Sequence, residues 1–325
     1  MKIVFLGTGE FAVPALEAIH RAGHQVSLVV SQPDRPQGRG LTLQSTPVKA
    51  AALALGLRVF QPEKLRLEPD PVIAEKADVL VVVAYGQILR ENILECARLG
   101  ALNVHASLLP SYRGAAPIQW AIANGESRTG VTTMRLDRGM DTGPILLQEA
   151  CAIGPDDTAA TLEPRLAATG ARLLIDTLAG LITGTLTPKP QDEKQATRAP
   201  LLRKSDGSLD FHRSACEIAN RVRGFSLWPG VQFAHEGRFI RILEAAASSG
   251  GDEGVPSGTI VGISREGLDV ACGGGSILRL RRVQPESRGP VSGFDFANGA
   301  KLKPGSLLGG WKGADPASRP SGPQD

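Results

Sequence analysis

The sequence predicts a two-domain α/β protein: a Rossmann-like, mainly parallel sheet followed by a small OB-like β-barrel. Three observations lead there. Short apolar runs alternate with amphipathic segments through the first half of the chain. A glycine turn, Gly7-Thr8-Gly9, ends the first run and opens into a helical pattern. Beyond residue 188 the texture changes to short strands separated by glycine.

Taken in order, strands are expected at 3–6, 26–30, 79–84 and 101–105, with helical stretches near 14–22, 46–55 and 88–97. A hairpin follows: Val131 to Leu136, a turn through Asp137-Arg138-Gly139-Met140-Asp141, then Ile145 to Glu149. Asp157 to Ile182 has helical periodicity, with Pro164 either kinking the helix or opening its main part. These elements make a catalytic domain of residues 1–188. In an open parallel sheet its site lies beyond the carboxyl ends of the strands. Pro188 to Pro200 is polar, bounded by proline and without apolar period, so 189–207 reads as a linker. The barrel occupies 208–311, with strands at Gln232–Ala234, Phe239–Leu243, Gly258–Ser264, Leu268–Ala271 and Ser276–Val283. The tail, 312–325, reads as disordered.

The 325 residues exceed what one small core needs. A net charge of +3 permits an acidic partner without demanding one. No apolar run reaches the roughly 20 residues of a bilayer span, and the first strand follows Met1-Lys2 directly, which predicts a cytoplasmic protein without a membrane partner. Cys96, Cys151, Cys216 and Cys272 are scattered, as reduced thiols would be. His20 and His24 have metal-ligand spacing, but Gly23 ends the helix between them, and no metal is expected.

Gly7-Thr8-Gly9-Glu10-Phe11-Ala12 fits G-x-G-x-x-A, the dinucleotide fingerprint. A nicotinamide site also needs an acid ending the second strand. The chain offers Val30-Ser31-Gln32 there, and Asp34 comes only after Pro33, so no nicotinamide is expected. The chemistry concentrates instead in Leu102-Asn103-Val104-His105-Ala106-Ser107-Leu108-Leu109-Pro110-Ser111-Tyr112-Arg113-Gly114. Asn103 and His105, two apart on a strand, can face one cleft, where an amide and an imidazole suit a reaction at a carbonyl. Asp141 could orient and charge the imidazole, although spacing does not bring it there. His105 could equally be structural, and Asp141 could serve its own turn. Ser107 lacks the G-x-S-x-G setting of a hydrolase nucleophile.

The run NVHASLLPSYRGAAP, with MDTG downstream, resembles the signature of the 10-formyltetrahydrofolate-dependent formyltransferase superfamily. The resemblance implies the formyltransferase fold, a catalytic set of Asn103, His105 and Asp141, and folate binding by Ser107, Leu108, Leu109 and Pro110. It implies that the pteridine lies against Tyr85, Gly86, Gln87, Ile88 and Leu89. The cosubstrate is then 10-formyltetrahydrofolate, with no metal. The family's first turn usually reads G-T-P-x-F; Gly9 replaces that proline and so creates the apparent fingerprint.

Gln32-Pro33-Asp34-Arg35-Pro36-Gln37-Gly38-Arg39-Gly40 resembles the loop by which members acting on initiator Met-tRNA probe the acceptor stem. Prolines limit its ensemble, and Arg35 and Arg39 can bind phosphate or a guanine edge. Leu41-Thr42-Leu43 stands where the family often has lysines, leaving the loop less charged. Phe225-Ser226-Leu227-Trp228-Pro229-Gly230 resembles a segment of the C-terminal barrel that only part of the superfamily carries. Arg203 and Lys204, and Arg279 with Arg281, could follow a phosphate backbone. The implied function is formylation of methionine on initiator Met-tRNA by a monomer. The alternative is the same scaffold with an amino sugar or water as acceptor. In this scheme Asn103 and a charged His105 stabilise the tetrahedral oxyanion, and Asp141 accepts the amine proton. The methionine side chain would lie near Phe11 and Pro14.

Overall fold

The computed structural model describes residues 1–37, 42–248 and 250–309. They divide into two compact units. One comprises Met1–Ile118, Ser127–Gly154 and Thr161–Leu201; the other comprises Gln119–Glu126, Pro155–Ala160 and the chain from Leu202.

The first unit begins with β1 (Lys2–Gly7), α1 (Val13–Arg21) and β2 (Gln25–Val30). A hairpin, β3 (Arg35–Gln37) and β4 (Thr42–Gln44), precedes α2 (Pro47–Ala54), β5 (Val59–Phe60), α3 (Asp70–Ile73) and β6 (Val79–Val83). Next come α4 (Glu91–Leu94), β7 (Ala101–His105) and β8 (Arg113–Gly114), then α5 (Pro117–Ala123), whose residues from Gln119 on belong to the second unit. The antiparallel pair β9 (Arg128–Arg135) and β10 (Ile145–Ala152), α6 (Ala159–Thr183) and β11 (Arg198–Ala199) follow. One sheet has the order β10-β9-β7-β6-β1-β2-β5. The strands from β7 to β5 are parallel, while β9 and β10 run antiparallel at the edge.

The reason lies in composition. Ile3–Leu6 and Val79–Val83 are apolar at every position and buried at every position, as strands covered on both faces must be. α2 starts where Thr46 accepts a hydrogen bond from the Lys49 amide at 3.2 Å. α6 is long and apolar enough in composition to cross a bilayer, yet Leu162, Leu166, Leu174 and Leu178 are fully buried. It lies so close to the sheet that a Cβ on Gly170 would come within 2.9 Å of Val104 Cγ1. Thr177 and Thr133 hydroxyls meet at 2.7 Å. Pro164 sits inside α6, which continues through it.

Two expectations change. The helix expected near 88–97 contracts to α4, and the strand expected to reach 84 stops at Val83. Ala84 and Gly86 take left-handed angles, φ +45° and +80°, and Arg90 is extended, so this stretch is spent on a strand-end loop. The stretch read as a linker is ordered through Leu201 within the first unit. β11 pairs with β8, and Lys189 bridges to Ile145. Most of its polar side chains are exposed, which is why composition alone suggested a spacer, but Gln191, Glu193 and Thr197 bond to other loops.

The second unit holds α7 (Ala215–Gly224), β12 (Val231–His235), β13 (Arg238–Ser248), β14 (Ile260–Ser264), β15 (Gly267–Cys272), β16 (Ser276–Pro285), β17 (Val291–Ser292) and α8 (Gly293–Gly299). Its sheet has the order β12-β13-β16-β15-β14, with β17 on β16 and every pairing antiparallel. Phe233 centres the core, its ring 6.0 Å from Phe211 and 6.3 Å from Phe296. Trp120 meets Phe225 edge to face at 5.3 Å, and the Arg221 guanidinium covers the Phe225 ring at 5.2 Å.

Candidate active site

The carboxyl edge of the parallel sheet presents loops from β1, β6 and β7 side by side. Gly7 is obligatory: a Cβ there would stand 3.0 Å from the Val83 carbonyl and 2.8 Å from the Phe5 ring. Gly9 is not. Its φ is −83°, an angle open to proline, and nothing lies within 4 Å of a Cβ placed on it. Thr8 Oγ1 donates to the Tyr85 carbonyl at 3.0 Å, joined there by Gln32 Nε2 at 2.8 Å.

Asn103 and His105 lie two apart on β7, and one carboxylate touches both. Asp141 Oδ1 accepts from Asn103 Nδ2 at 3.4 Å, and Oδ2 lies 3.6 Å from His105 Nδ1. The Gly114 amide donates to Oδ2 at 2.8 Å. His105 Nε2 donates to the Tyr112 carbonyl at 2.9 Å, an acceptor that assigns a proton to Nε2. The other ring nitrogen, Nδ1, faces Asp141. The imidazole is almost fully buried. Asp141 itself has φ +56° and Tyr112 has φ +59°, two strained residues bracketing one histidine.

The Ser107–Pro110 loop is held from below. Thr132 Oγ1 donates to the Ser107 carbonyl at 2.7 Å and accepts from the Leu109 amide at 3.1 Å. Gln148 Nε2 donates to the Leu109 carbonyl at 2.8 Å. Ser107 is fully buried, its hydroxyl donating to the Ser111 carbonyl at 2.5 Å. Leu108 is partly exposed, Leu109 is buried, and the Leu109–Pro110 bond is cis.

Of the expected pteridine loop, Tyr85 points into the core, and burial pushes its phenol up to about 12. Gln87 is turned inward, accepting from the Leu65 amide at 3.0 Å. Ile88 is 81% exposed, and Leu89 is half-buried and packed against the core. Gly86 keeps its positive φ with the Gln32 amide packed where a Cβ would go, 2.5 Å away. Phe11, expected beside the methionine, is buried at 9% exposure.

Sequence reasoning missed the residues that hold the site together. Arg113, 9% exposed, donates to Gln191 Oε1 through Nε at 3.0 Å and Nη2 at 2.8 Å. It also forms two 2.8 Å bonds to Glu193. Hydrogen bonding to Glu193 raises Arg113 above the ordinary arginine range despite burial, and the same bonds lower Glu193. Gln191 Nε2 in turn donates to the carbonyls of Asp141 and Gly143. The nearest sequence signal was the run of amide and acid side chains just after Pro190.

The expected tRNA-contacting cations have a different character. Arg35 is exposed and paired with Glu63 at 2.8 Å. Arg39 lies outside the described residues, as does the tail. Arg203 and Lys204 are exposed at the start of a short turn in the second unit, where the Arg203 amide donates to Asp206. Arg279 is committed elsewhere: Asp269 and Glu266 both bind it, and hydrogen bonding to Asp269 raises it further. Arg281 is exposed.

Residues 1–178 match the formyl transferase family model, and residues 201–301 match the formyl transferase C-terminal domain model. Among curated relatives, a methionyl-tRNA formyltransferase of Solibacter usitatus is 50% identical over 95% of this chain and 99% of its own length. One of Anaeromyxobacter dehalogenans is 50% identical over 93% and 98%. Among solved structures, an N-formyltransferase of Helicobacter canadensis, in complex with folinic acid and dTDP-3-aminofucose, superposes with a TM-score of 0.66 at 19% identity. It covers 86% of this chain and 98% of that one. HypX of Aquifex aeolicus in complex with tetrahydrofolic acid gives 0.58 at 15%, covering 91% and 47%. At those identities the two structures speak for the fold alone.

Proposed function

The chain belongs to the formyl transferase family, and on that premise we propose that Asn103, His105 and Asp141 carry out its chemistry. The reaction moves the formyl group of 10-formyltetrahydrofolate to the α-amine of methionine esterified to initiator tRNA, in support of translation initiation. The observation that carries the site assignment is the Asp141 carboxylate lying against both Asn103 and His105.

The amine attacks the formyl carbon, and the carbonyl oxygen takes up negative charge. Asn103 Nδ2–H and a protonated His105 Nδ1–H donate to that oxygen, each such donor contributing about 3 kcal/mol. Tyr112 fixes the ring through Nε2, so Nδ1 cannot rotate away. Asp141 balances the imidazolium charge and takes the amine proton, directly or through water; the same proton passes to the folate nitrogen as the tetrahedral species collapses, the C–N bond to the folate breaks and tetrahydrofolate leaves. The formyl group arrives already activated on the folate, which lies along Ser107–Pro110 with its ring against Ile88 and Leu89, within the loop from Tyr85 through Gly86 and Gln87. Arg35, Arg39, Arg203 and Lys204 bind phosphates of the tRNA. The protein works in the cytoplasm as a monomer without a membrane partner; sedimentation at 34.2 kDa checks the first half of that statement.

The deciding experiment compares formylation of initiator Met-tRNA, elongator Met-tRNA and free methionine, with wild type beside His105→Ala. Formylation restricted to the initiator, with kcat reduced about 100-fold or more in the variant, is expected. Unchanged kcat in His105→Ala would remove the histidine from the mechanism.

A further inference from the structure

The turn that carries Asp141 has unusual mechanical requirements. Asp141 sits at φ +56°, a region that costs a non-glycine residue about 1 kcal/mol or more. Left alone, the turn Gly139-Met140-Asp141-Thr142-Gly143 would relax and carry the carboxylate away from Asn103 and His105. Within the turn, Asp137 Oδ1 accepts from the Gly139 amide at 3.0 Å and from Thr142 Oγ1 at 2.7 Å, which shapes the tip without holding Asp141. The Gly114 amide holds the carboxylate itself.

The backbone that leaves the strained residue is held by a side chain from far along the chain. Gln191 Nε2 donates one hydrogen to the Asp141 carbonyl at 2.8 Å and the other to the Gly143 carbonyl at 2.7 Å. Its Oε1 accepts twice from Arg113, and Arg113 is anchored by Glu193. Both hydrogens of the amide are used, and only an amide supplies donor and acceptor from one planar end. The segment bearing Gln191 is fixed at both ends, by the Lys189 to Ile145 bridge and by β11 on β8. β8 holds Arg113 and Gly114 side by side, so the strap, the arginine and the amide bound to Asp141 move as one body.

We propose that Gln191 is a positioning residue of the active site, holding the Asp141 turn through two carbonyls while Arg113 fixes its orientation. This rests on the reading of Asp141 given above. Losing the two bonds frees the carboxylate by a fraction of an ångström to an ångström, a displacement that reduces rates by up to about 100-fold without weakening substrate binding.

The test uses the full chain and initiator Met-tRNA. Gln191→Glu keeps the acceptor for Arg113 but sets an oxygen against the two carbonyls. It is expected to lower kcat about 30-fold while KM for 10-formyltetrahydrofolate stays within about twofold. Asp192→Asn perturbs the neighbouring strap residue, whose carboxylate serves only Lys194 and Gln195, and is expected to keep wild-type kcat. Should Gln191→Glu fail to fold, Gln191→Leu leaves Arg113 on Glu193 and must show the same selective loss of kcat. Wild-type kcat in a folded Gln191 variant, or an equal loss in Asp192→Asn, overturns the proposal. Asp141→Asn separates the two ideas: full activity there defeats the reading of the site itself, whereas loss there with normal Gln191 variants defeats only the clamp.

Discussion

Arg113 and Arg35 are the same residue used in opposite ways, and they mark two regions of one unit. Arg113 is buried, with its guanidinium shared between a glutamine and a glutamate that belong to the site's own scaffold. Arg35 is 60% exposed and holds one equally exposed glutamate, the kind of surface pair worth less than about 1 kcal/mol. At the carboxyl edge the Asp141 carboxylate and both ring nitrogens of His105 have fixed neighbours. On the β3–β4 hairpin the cation has one surface partner, which under the proposed function it exchanges for a phosphate. A reacting centre needs atoms held to within a fraction of an ångström, whereas an RNA backbone needs charge that can follow it.

The comparison breaks most visibly at Gly114. Its φ is +124°, and a Cβ would lie 2.5 Å from the Ala199 carbonyl. Gly114→Ala pushes the strap off β8 and moves the amide that binds Asp141. Chemical denaturation is expected to show a loss of about 3 kcal/mol in the first unit, together with a fall in kcat. Normal stability and kcat would mean that the edge is more compliant than its contacts imply. Arg35→Ala should leave kcat and stability near wild type while raising KM for Met-tRNA about threefold, with a shallower dependence on salt. Loss of kcat instead would place Arg35 among the fixed groups. The smallest effect is expected at Gly9, an open position within the otherwise closed edge. Gly9→Pro should leave kcat unchanged and alter stability by no more than about 1 kcal/mol, in the stabilising direction, as read from the melting temperature.

The parallel sheet was legible because Ile3–Leu6 and Val79–Val83 are apolar without alternation, a pattern few other settings allow. Asn103 and His105 were legible as a pair because period two is a local property of a strand. Asp141 was named through its turn and the family resemblance, but spacing alone did not bring it beside them, since that depends on β9 packing antiparallel to β7, a contact between distant parts of the chain. The strap read as a linker because the partners of Gln191 and Glu193 lie about 50 to 80 residues away, and a window along the sequence sees polarity without seeing partners. Helices α7 and α8 were not expected from the sequence, although Ser214 and Glu217 cap each other's amides at the start of one and Ser292 caps the Asp295 amide at the start of the other. The hairpin at Arg35 was hidden by its glycine-rich composition, which resembles that of an open loop.

The long reach from Asp141 to Gln191 also has a meaning in time. A ribosome delivers β1 through β10 first, then α6, and only afterwards the residues that tie down the Asp141 turn. Until then Asn103, His105 and Asp141 are all synthesised, but the carboxylate is held without its farthest support. On the proposed clamp, the geometry of the site is completed only with the strap, one of the last pieces of the first unit to emerge. Chain ends created upstream of Gln191 leave the residues of the site present and its timing unmet.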